Sequence, residues 1–457
     1  MSKLKIYLSL QVATIVAYYG SIKFGFSQDD WYFLYISTAR NLGDILNFFN
    51  PFSQSGFAFY RPLGTQLYYY LSRLIFGLQG APAYMHIFMI FVQSLASYNV
   101  YRLVKHLSSD RFLSLVIAVL YATSSVHFLS LYYIAATQQL LATLFSLLAI
   151  NDYLEKKYIG SGIFFALGLL SKEVAIVAPV IMVLSEYQIT KKFNLAKLIP
   201  KLTVTIIVLL IYIAIKLVGG LQVQSEYHFV LNSSVISTAR WYLLFGYGSP
   251  EELVRYGLPK MAINYLGFIR DFGILGILTG FIPVGISLLA FYQIILGLWH
   301  KHYKVLIYLL WWILALLPVL LLQDHRYPHY VDLALIPMLL ILFEGNSRAW
   351  TISLATLICI VSLGSIHLSE SAHWTTKRAI ISSSAVQQIS SSSACSKKDW
   401  NILGVGDSAK QLSYALSLEN GPRVICNREI QVYYLGVTQG EPPIGAYQMD
   451  TQRIIGL

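Results

Sequence analysis

The chain has 457 residues, of which 56% are hydrophobic and only 12% are charged, and its formal net charge is +11. Soluble globular chains contain roughly 25% charged residues, because polar groups must cover their surface. This composition excludes a soluble protein. It also argues against nucleic acid as a partner, because much of the basic excess lies in short loops between apolar runs. The sequence therefore predicts an all-α polytopic membrane protein in the lipid bilayer, since helices satisfy the backbone of such runs in lipid.

Apolar runs near the length that crosses a bilayer recur along the chain and predict about eleven transmembrane helices. The predicted spans are 5–24, 83–103, 112–127, 131–152, 158–171, 174–189, 202–219, 272–298, 305–323, 331–344 and 350–368. Basic residues gather in every second short loop, so the positive-inside rule predicts a cytoplasmic N-terminus and an outer C-terminus. The first span is expected to be an uncleaved helix.

Three segments outside the spans are predicted to be extracytoplasmic. Residues 25–82 form a first outer loop with interfacial helices, and residues 220–265 form a long outer loop. After the spans, the Ser-rich segment 369–396 is predicted to be a linker, and residues 397–457 a small α/β segment. Within that segment we expect strands at 400–406 and 423–426 and a helix at 408–418. Cys395 and Cys426 could pair there, because disulfides persist in oxidising compartments.

An acidic pair, Asp29 and Asp30, follows the first span. One interpretation is helix capping, because carboxylates accept hydrogen bonds from first-turn amides. The other is catalytic: one acid takes a proton from a hydroxyl, or the pair binds a divalent cation. Repulsion between adjacent carboxylates can raise one pKa into the range that suits proton abstraction.

Two arginines are predicted on the same outer face as the acidic pair. Arg61 follows Tyr60 at the entry to an interfacial segment, and Arg326 stands in the group 324–327 with His325 and Tyr327. Arginines at an interface can contact lipid headgroups unspecifically. A guanidinium also binds phosphate through two parallel hydrogen bonds, and two of them on one face favour an anionic lipid-linked ligand.

Lys172 and Glu173 interrupt an apolar run, again on the predicted outer face. They could form a turn in which the two charges pair with each other or with water. Alternatively, Lys172 contacts a phosphate and Glu173 orients it or another site residue. Charged groups at membrane depth are expensive, and so they are candidates for function.

These motifs together resemble the GT-C superfamily of membrane glycosyltransferases, and most closely its protein O-mannosyltransferase-like branch. The resemblance depends on Asp29-Asp30, Arg61-Pro62-Leu63, the 170–173 run and Arg326-Tyr327, in this order over residues 1–345. It implies a GT-C-like fold and a polyprenyl-phosphate sugar as donor. Relatives often have a glutamate where Asp30 stands, and some carry tetratricopeptide repeats that this chain lacks, so the acceptor does not follow from the resemblance.

The resemblance implies an inverting transfer to an acceptor hydroxyl of a protein, lipid or glycan at the extracytoplasmic face of the plasma or inner membrane. Asp29 would be the base with Asp30 supporting it. Arg61, Arg326, His325 and Lys172 would bind the donor phosphate, supported by Tyr60, Glu173 and Tyr327. No soluble cofactor is required, and the resemblance leaves open whether a divalent cation is bound. A polysaccharide or lipid transporter or flippase, and an O-antigen-type polymerase or ligase, are the alternative functions.

Overall fold

The computed structural model of the chain describes residues 2–52, 59–218, 229–232, 234–258, 262–322, 325–403, 407–434, 436–438 and 446–450. These residues are mainly helical, with a small sheet near the C-terminus. The helices are α1 Lys3–Tyr18, α2 Asp29–Ile36, α3 Leu42–Asn47, α4 Tyr68–Ser108, α5 Arg111–Ala122, α6 Phe128–Tyr132, α7 Thr137–Leu154, α8 Tyr158–Ser171, α9 Ala178–Thr190, α10 Leu195–Val218, α11 Ser234–Gly246, α12 Tyr265–Trp299, α13 Tyr303–Leu320, α14 Leu335–Phe343, α15 Arg348–Ala372, α16 Trp374–Ser390, α17 Ser408–Ala415 and α18 Asn420–Cys426. The strands are β1 Asp399–Leu403, β2 Gln431–Tyr434 and β3 Tyr447–Asp450.

Eight helical stretches in the described ranges are long and apolar enough to cross a membrane, by length and composition. They are Leu63–Ser108, Arg111–Tyr132, Ile134–Leu154, Glu173–Thr190, Leu195–Val218, Tyr265–Trp299, Tyr303–Leu320 and Arg348–Ser390. Each coincides with one of the predicted spans. The remaining predicted spans, 5–24, 158–171 and 331–344, contain the shorter helices α1, α8 and α14, of 16, 14 and 9 residues. By this criterion, the structure supports eight spans where the sequence predicts about eleven.

Helix α4 shows why the segment before residue 78 differs from the span after it. Gly77 has a φ of +68°, which breaks the regular helix, and Pro82 follows inside it. A backbone with positive φ suits glycine because it lacks a Cβ atom. The part of α4 before Gly77 is thus separate from the part that the sequence predicts to cross the membrane from residue 83.

The loops that carry the predicted cytoplasmic charges meet at one end of the bundle. Arg102 Nη2, near the end of α4, donates to Glu155 Oε1 just after α7 at 2.6 Å. Helix α7 packs against α9. Beyond α9, the Lys191 ammonium lies 3.6 Å from the ring centroid of Tyr303 at the start of α13. These contacts involve four connections, those after α4, α7, α9 and α12, which the sequence predicts on one side.

The predicted outer groups lie at the other end of α7. Tyr133 and Gln138, which flank the start of α7, contact Asp29 and Arg61. The 18 residues of α7 separate the two ends by about 27 Å at 1.5 Å per residue. The loops therefore sort to opposite ends as their charges predict, and the side of the membrane that each end faces stays a prediction.

The predicted linker 369–396 is wrong over most of its length, because residues 374–390 form α16. Although this helix is rich in serine, it has a buried face that includes Ala379, Ser382, Ala385 and Ile389. This three- and four-residue spacing is that of one helix face. Trp31 Nε1 donates to Ser382 Oγ at 2.9 Å, so the serine pairs with a buried group of α2.

The C-terminal α/β segment contains a parallel sheet in the order β2-β1-β3. Cys395 and Cys426 form a disulfide with their Cα atoms 5.2 Å apart. The predicted strand at 400–406 and helix at 408–418 correspond to β1 and α17. The predicted strand at 423–426 is wrong: these residues belong to α18, where Pro422 stands in the first turns that tolerate proline.

In the predicted long outer loop 220–265, the described residues form α11 and a 3₁₀ turn at Glu251–Tyr256. Residues 219–228, 233 and 259–261 lie outside the described residues. The loop is therefore helical wherever more than a few consecutive residues are described.

Candidate active site

The turn before the acidic pair is held in an unusual conformation. Gln28 has a φ of +53°, which side-chain-bearing residues rarely adopt. Its backbone N–H donates to the Ala415 carbonyl of α17 at 2.9 Å. Its side-chain Oε1 accepts from Arg378 Nη1 of α16 at 2.6 Å. Two elements from the C-terminal part of the chain therefore fix the residue that precedes Asp29.

Asp30 is buried, with 1% of its surface exposed. Its Oδ2 accepts from the Ser27 N–H at 2.8 Å, and its Oδ1 accepts from Tyr69 Oη at 2.6 Å. Burial raises the pKa of Asp30 to about 8, although both hydrogen bonds act to lower it. This carboxyl ties the turn to α4 and is closed to an acceptor.

Asp29 is the exposed member of the pair. Its backbone N–H donates to Tyr133 Oη at 2.9 Å, and Arg378 lies near enough to interact with its charge. The N-cap residue of α2, Gln28, forms no side-chain capping hydrogen bond. Asp30 Oδ2 accepts from the Ser27 N–H at this helix start, which agrees with the capping interpretation for Asp30, and Asp29 is the acid that a substrate can reach.

Arg61 is buried, and its guanidinium is bound by two other side chains. Its Nε donates to Glu173 Oε2 at 2.7 Å, its Nη2 also pairs with Glu173, and its Nη1 donates to Gln138 Oε1 at 2.8 Å. Glu173 thus orients Arg61, which agrees with the interpretation in which Glu173 orients another site residue. These two partners take up three of the five N–H donors of the guanidinium.

Two supporting residues hold the loops around these charges. Tyr60 Oη donates to the Phe49 carbonyl at 2.9 Å, which ties Arg61 to the first outer loop. The Phe59 ring lies 4.1 Å from the Arg61 guanidinium carbon and covers it. Tyr60 therefore holds this segment against the first outer loop. In the described residues it makes no contact with the acidic pair.

Lys172 is also buried, and its Nζ lies 4.9 Å from the ring centroid of Tyr330. In the described part of the chain this ammonium forms no hydrogen bond. Burial lowers the pKa of Lys172 to about 7, and the charge of Arg61 acts in the same direction. An anion placed here would stabilise the charged form of the lysine.

His325, Arg326 and Tyr327 follow residue 324, which lies outside the described residues. Arg326 Nε is buried and has no hydrogen-bond partner in the described ranges. The Tyr327 ring packs between His325, at 6.0 Å between centroids, and His329, at 5.6 Å. Arg326 and Tyr327 line a cavity of about 300 Å³. Its lining also includes Glu251, Glu252, Val254, Arg255, His373 and Trp374.

Sequence reasoning missed Arg378 and Trp374. The Trp374 ring lies 5.6 Å from the Tyr133 ring and 5.0 Å from the Arg378 guanidinium carbon. Tyr327 is also close enough to Arg378 for an electrostatic interaction. In the sequence, Trp374 and Arg378 are four residues apart, a spacing that places an aromatic ring and a cation on one face of a helix. This pattern lies in a segment predicted to be a linker, and so it was missed.

Five of the predicted residues thus fall into two neighbouring groups, and residues that were not predicted complete each group. We call Asp29, Asp30, Tyr133 and Arg378 the acidic cluster, and Arg61, Gln138, Lys172 and Glu173 the ion-pair cluster. Tyr327, which lies near Arg378, and Tyr330, which contacts Lys172, have ring centroids 6.1 Å apart and connect the two. In the described ranges, no three His, Cys, Asp or Glu side chains are grouped so as to hold a metal ion.

Comparison with known proteins gives one family match, over part of the chain. Residues 61–215, about a third of the chain, match the family model described as dolichyl-phosphate-mannose-protein mannosyltransferase. The predicted resemblance is confirmed. The matched region contains the ion-pair cluster and Tyr133, whereas Asp29, Asp30 and Arg326 lie outside it. No curated protein sequence matches the chain.

Among solved structures, the chain is similar to the archaeal oligosaccharyltransferase AglB from Archaeoglobus fulgidus, solved with an inhibitory peptide and a dolichol-phosphate. The identity is 12% and the TM-score is 0.45. The alignment covers 90% of this chain and 63% of that chain, so this chain spans less than two thirds of that protein's length.

Proposed function

We propose that the protein is a glycosyltransferase that moves a sugar from a polyprenyl-phosphate donor to an acceptor hydroxyl. The observation that carries this proposal is the exposed Asp29 carboxylate, set beside Tyr133 and Arg378 and held by a fixed turn. An accessible carboxylate with a nearby cation can take a proton from a hydroxyl. The match of residues 61–215 to a mannosyltransferase family model supports a lipid-linked sugar as donor.

The reaction is a single displacement. Asp29 takes the acceptor hydroxyl proton while the oxygen attacks the anomeric carbon from the face opposite the phosphate. The bond from the anomeric carbon to the phosphate oxygen breaks, and its electron pair leaves with polyprenyl phosphate. The new glycosidic bond therefore has the inverted configuration. Base assistance of this kind contributes roughly 10²–10⁴-fold to the rate.

The leaving phosphate needs positive charge, and two groups are available for it. Arg326 has a buried Nε without a hydrogen-bond partner in the described residues, and Lys172 has a buried ammonium near the Tyr330 ring that forms no hydrogen bond there. In a partly dry site, such groups stabilise developing negative charge strongly. Arg61 holds the turn that carries Lys172, through its pair with the adjacent Glu173.

We place the site at the extracytoplasmic face. The acidic cluster lies at the end of α7 opposite the basic loops, and basic loops are retained in the cytoplasm. The Cys395–Cys426 disulfide supports the same side, because α18, which contains Cys426, packs on α2. This site is consistent with a hexose or a pentose as the sugar and with a protein, lipid or glycan as the acceptor. It is also consistent with a divalent cation beside Asp29.

The test uses purified protein in detergent with polyprenyl-phosphate hexoses or pentoses and a cell-envelope extract as acceptor source. Release of polyprenyl phosphate is measured for wild type, Asp29→Asn, Arg326→Ala and the control Arg270→Ala, an exposed arginine on α12. We expect release by wild type and the control, and loss in both site variants. Full release by both site variants would overturn the proposed site. Movement of intact donor across a bilayer without release would indicate a transporter.

A further inference from the structure

A cavity of about 980 Å³ lies between the first outer loop and the C-terminal α/β segment, apart from the acidic cluster. Four arginines line it, and we call it the arginine cleft. They are Arg40, Arg73, Arg423 and Arg428. They come from the segment after α2, from the early part of α4 and from the region of α18. The cleft therefore exists only because the C-terminal segment packs on the first outer loop.

The positive charge of the cleft is only partly compensated. Arg423 is paired, since its Nε lies 3.0 Å from Glu429 Oε2 and its Nη2 lies 3.6 Å from Glu419 Oε1. Arg428 Nη1 donates to the neutral Cys395 carbonyl at 3.0 Å. In the described part of the chain, Arg40 and Arg73 form no ion pair. Three guanidiniums thus face one cavity without a carboxylate partner among the described residues.

The one other acid that lines the cleft is already engaged. Asp44 Oδ2 accepts from the backbone N–H of Arg40 at 2.8 Å, and Asp44 forms the capping box of α3 with Asn41. This carboxylate stabilises the start of a short helix. The lining of the cleft thus holds four guanidiniums against two carboxylates, Asp44 and Glu429, and keeps a net positive charge.

We propose that the arginine cleft binds a phosphate group carried by the acceptor. This inference rests on the proposed function. A guanidinium binds phosphate through two parallel hydrogen bonds, and like charges held in one cavity favour an anion. Tyr35 and Tyr70 add aromatic rings and hydroxyls to the wall, which suits a saccharide attached to that phosphate.

The position of the cleft fits an acceptor site. Tyr35 stands six residues after Asp29 on the same helix, α2, which places the cleft roughly 9 Å from the acid along the helix axis. One acceptor molecule can therefore present a hydroxyl to Asp29 while its phosphate lies in the cleft. Leu74, which is 64% exposed beside Arg73, gives the rim an apolar edge at which a lipid tail could rest.

This inference is tested without any transfer reaction. The measurement is the binding of inorganic pyrophosphate and of water-soluble dihexanoyl phosphatidic acid to the purified protein. The variants are Arg40→Ala/Arg73→Ala, its charge-conserving counterpart Arg40→Lys/Arg73→Lys, the control Arg270→Ala outside the cleft, and Arg326→Ala, which reports binding of the probes at the proposed donor-phosphate site. Loss of charge-assisted hydrogen bonds from two arginines should weaken binding by at least roughly tenfold in the alanine variant. The lysine variant should lose less.

Unchanged affinity of the alanine double variant for both probes would overturn the proposal, as would loss of binding in Arg326→Ala alone. Tighter binding of the phosphatidic acid would indicate a lipid acceptor, and tighter binding of pyrophosphate a soluble phosphorylated glycan. If no sample transfers sugar but the variants bind the probes as expected, the proposal for the cleft is supported and the proposed function is contradicted.

Discussion

The acidic cluster and the ion-pair cluster were predicted from the same kind of signal, charged residues next to apolar runs, yet they differ in how their charges are used. In the ion-pair cluster, three guanidinium nitrogens of Arg61 are bound by Glu173 and Gln138. In the acidic cluster, Asp30 is buried and hydrogen-bonded, whereas Asp29 is exposed. In the proposed function the exposed carboxylate carries the chemistry, and the contacts of Arg61 with Glu173 and Gln138 hold together the segments around it.

Asp29→Asn should give the largest effect, because it removes the accessible acid and leaves the buried one. We expect transfer to fall by roughly 10²–10⁴-fold. The thermal unfolding midpoint should change little, because the Asp29 side chain is exposed and asparagine keeps its shape and a hydrogen-bonding oxygen. Asp407→Asn, an exposed aspartate before α17, is the matched control and should keep full transfer. A variant that transfers normally would show that the accessible acid is not the base.

The ion-pair cluster is tested by a double-mutant cycle on Arg61→Ala and Glu173→Ala. Each single change leaves one partner unpaired, and the buried arginine makes Glu173→Ala costly. We expect each to lower the free energy of unfolding by about 1–3 kcal/mol, and the double variant to lose less than the sum. The measurement is chemical unfolding in detergent. Additive losses would contradict a structural pair and favour a separate role for Arg61.

Arg378→Ala should have a smaller effect, because Arg378 acts on the acid through Gln28. Loss of the contact to Gln28 Oε1 should lower kcat about tenfold while KM for the donor stays the same. Gln28→Ala should behave similarly, and the double variant should be no worse than either. A rise in donor KM without a fall in kcat would instead place Arg378 on the donor.

A separate prediction concerns the dependence of stability on pH through the buried Asp30. Its pKa is about 8 in the folded protein, against about 4 for an unperturbed aspartate. Between these values the folded state holds more protons than the unfolded state, so the free energy of unfolding should fall as pH rises from about 4 to about 8. Asp30→Asn should flatten this slope in thermal unfolding scans. An unchanged slope would contradict a buried, protonated Asp30.

Much of the architecture follows from the sequence, because span length and loop charge are local signals. Asp29, Arg61 and Lys172 were found for the same reason: each stands out against apolar neighbours. The pairing of Arg61 with Glu173 joins residues 112 positions apart, and no local pattern indicates it.

Two other features were hidden for physical reasons. Helix α16 has many serines, so its composition resembles a linker although its buried stripe keeps helical spacing. The turn at Gln28 depends on tertiary hydrogen bonds from Ala415 and Arg378, which override the preference of glutamine for negative φ. Both features lie where the C-terminal part of the chain meets the first outer loop.

The most direct test of the central claim uses proteoliposomes and a polyprenyl-phosphate sugar labelled separately in the phosphate and in the sugar. We predict that the sugar label moves to the acceptor while the phosphate label stays with the lipid, one polyprenyl phosphate for each sugar transferred. Asp29→Asn should leave both labels together in the donor. Two labels that cross the bilayer together, without separating, would contradict a transferase.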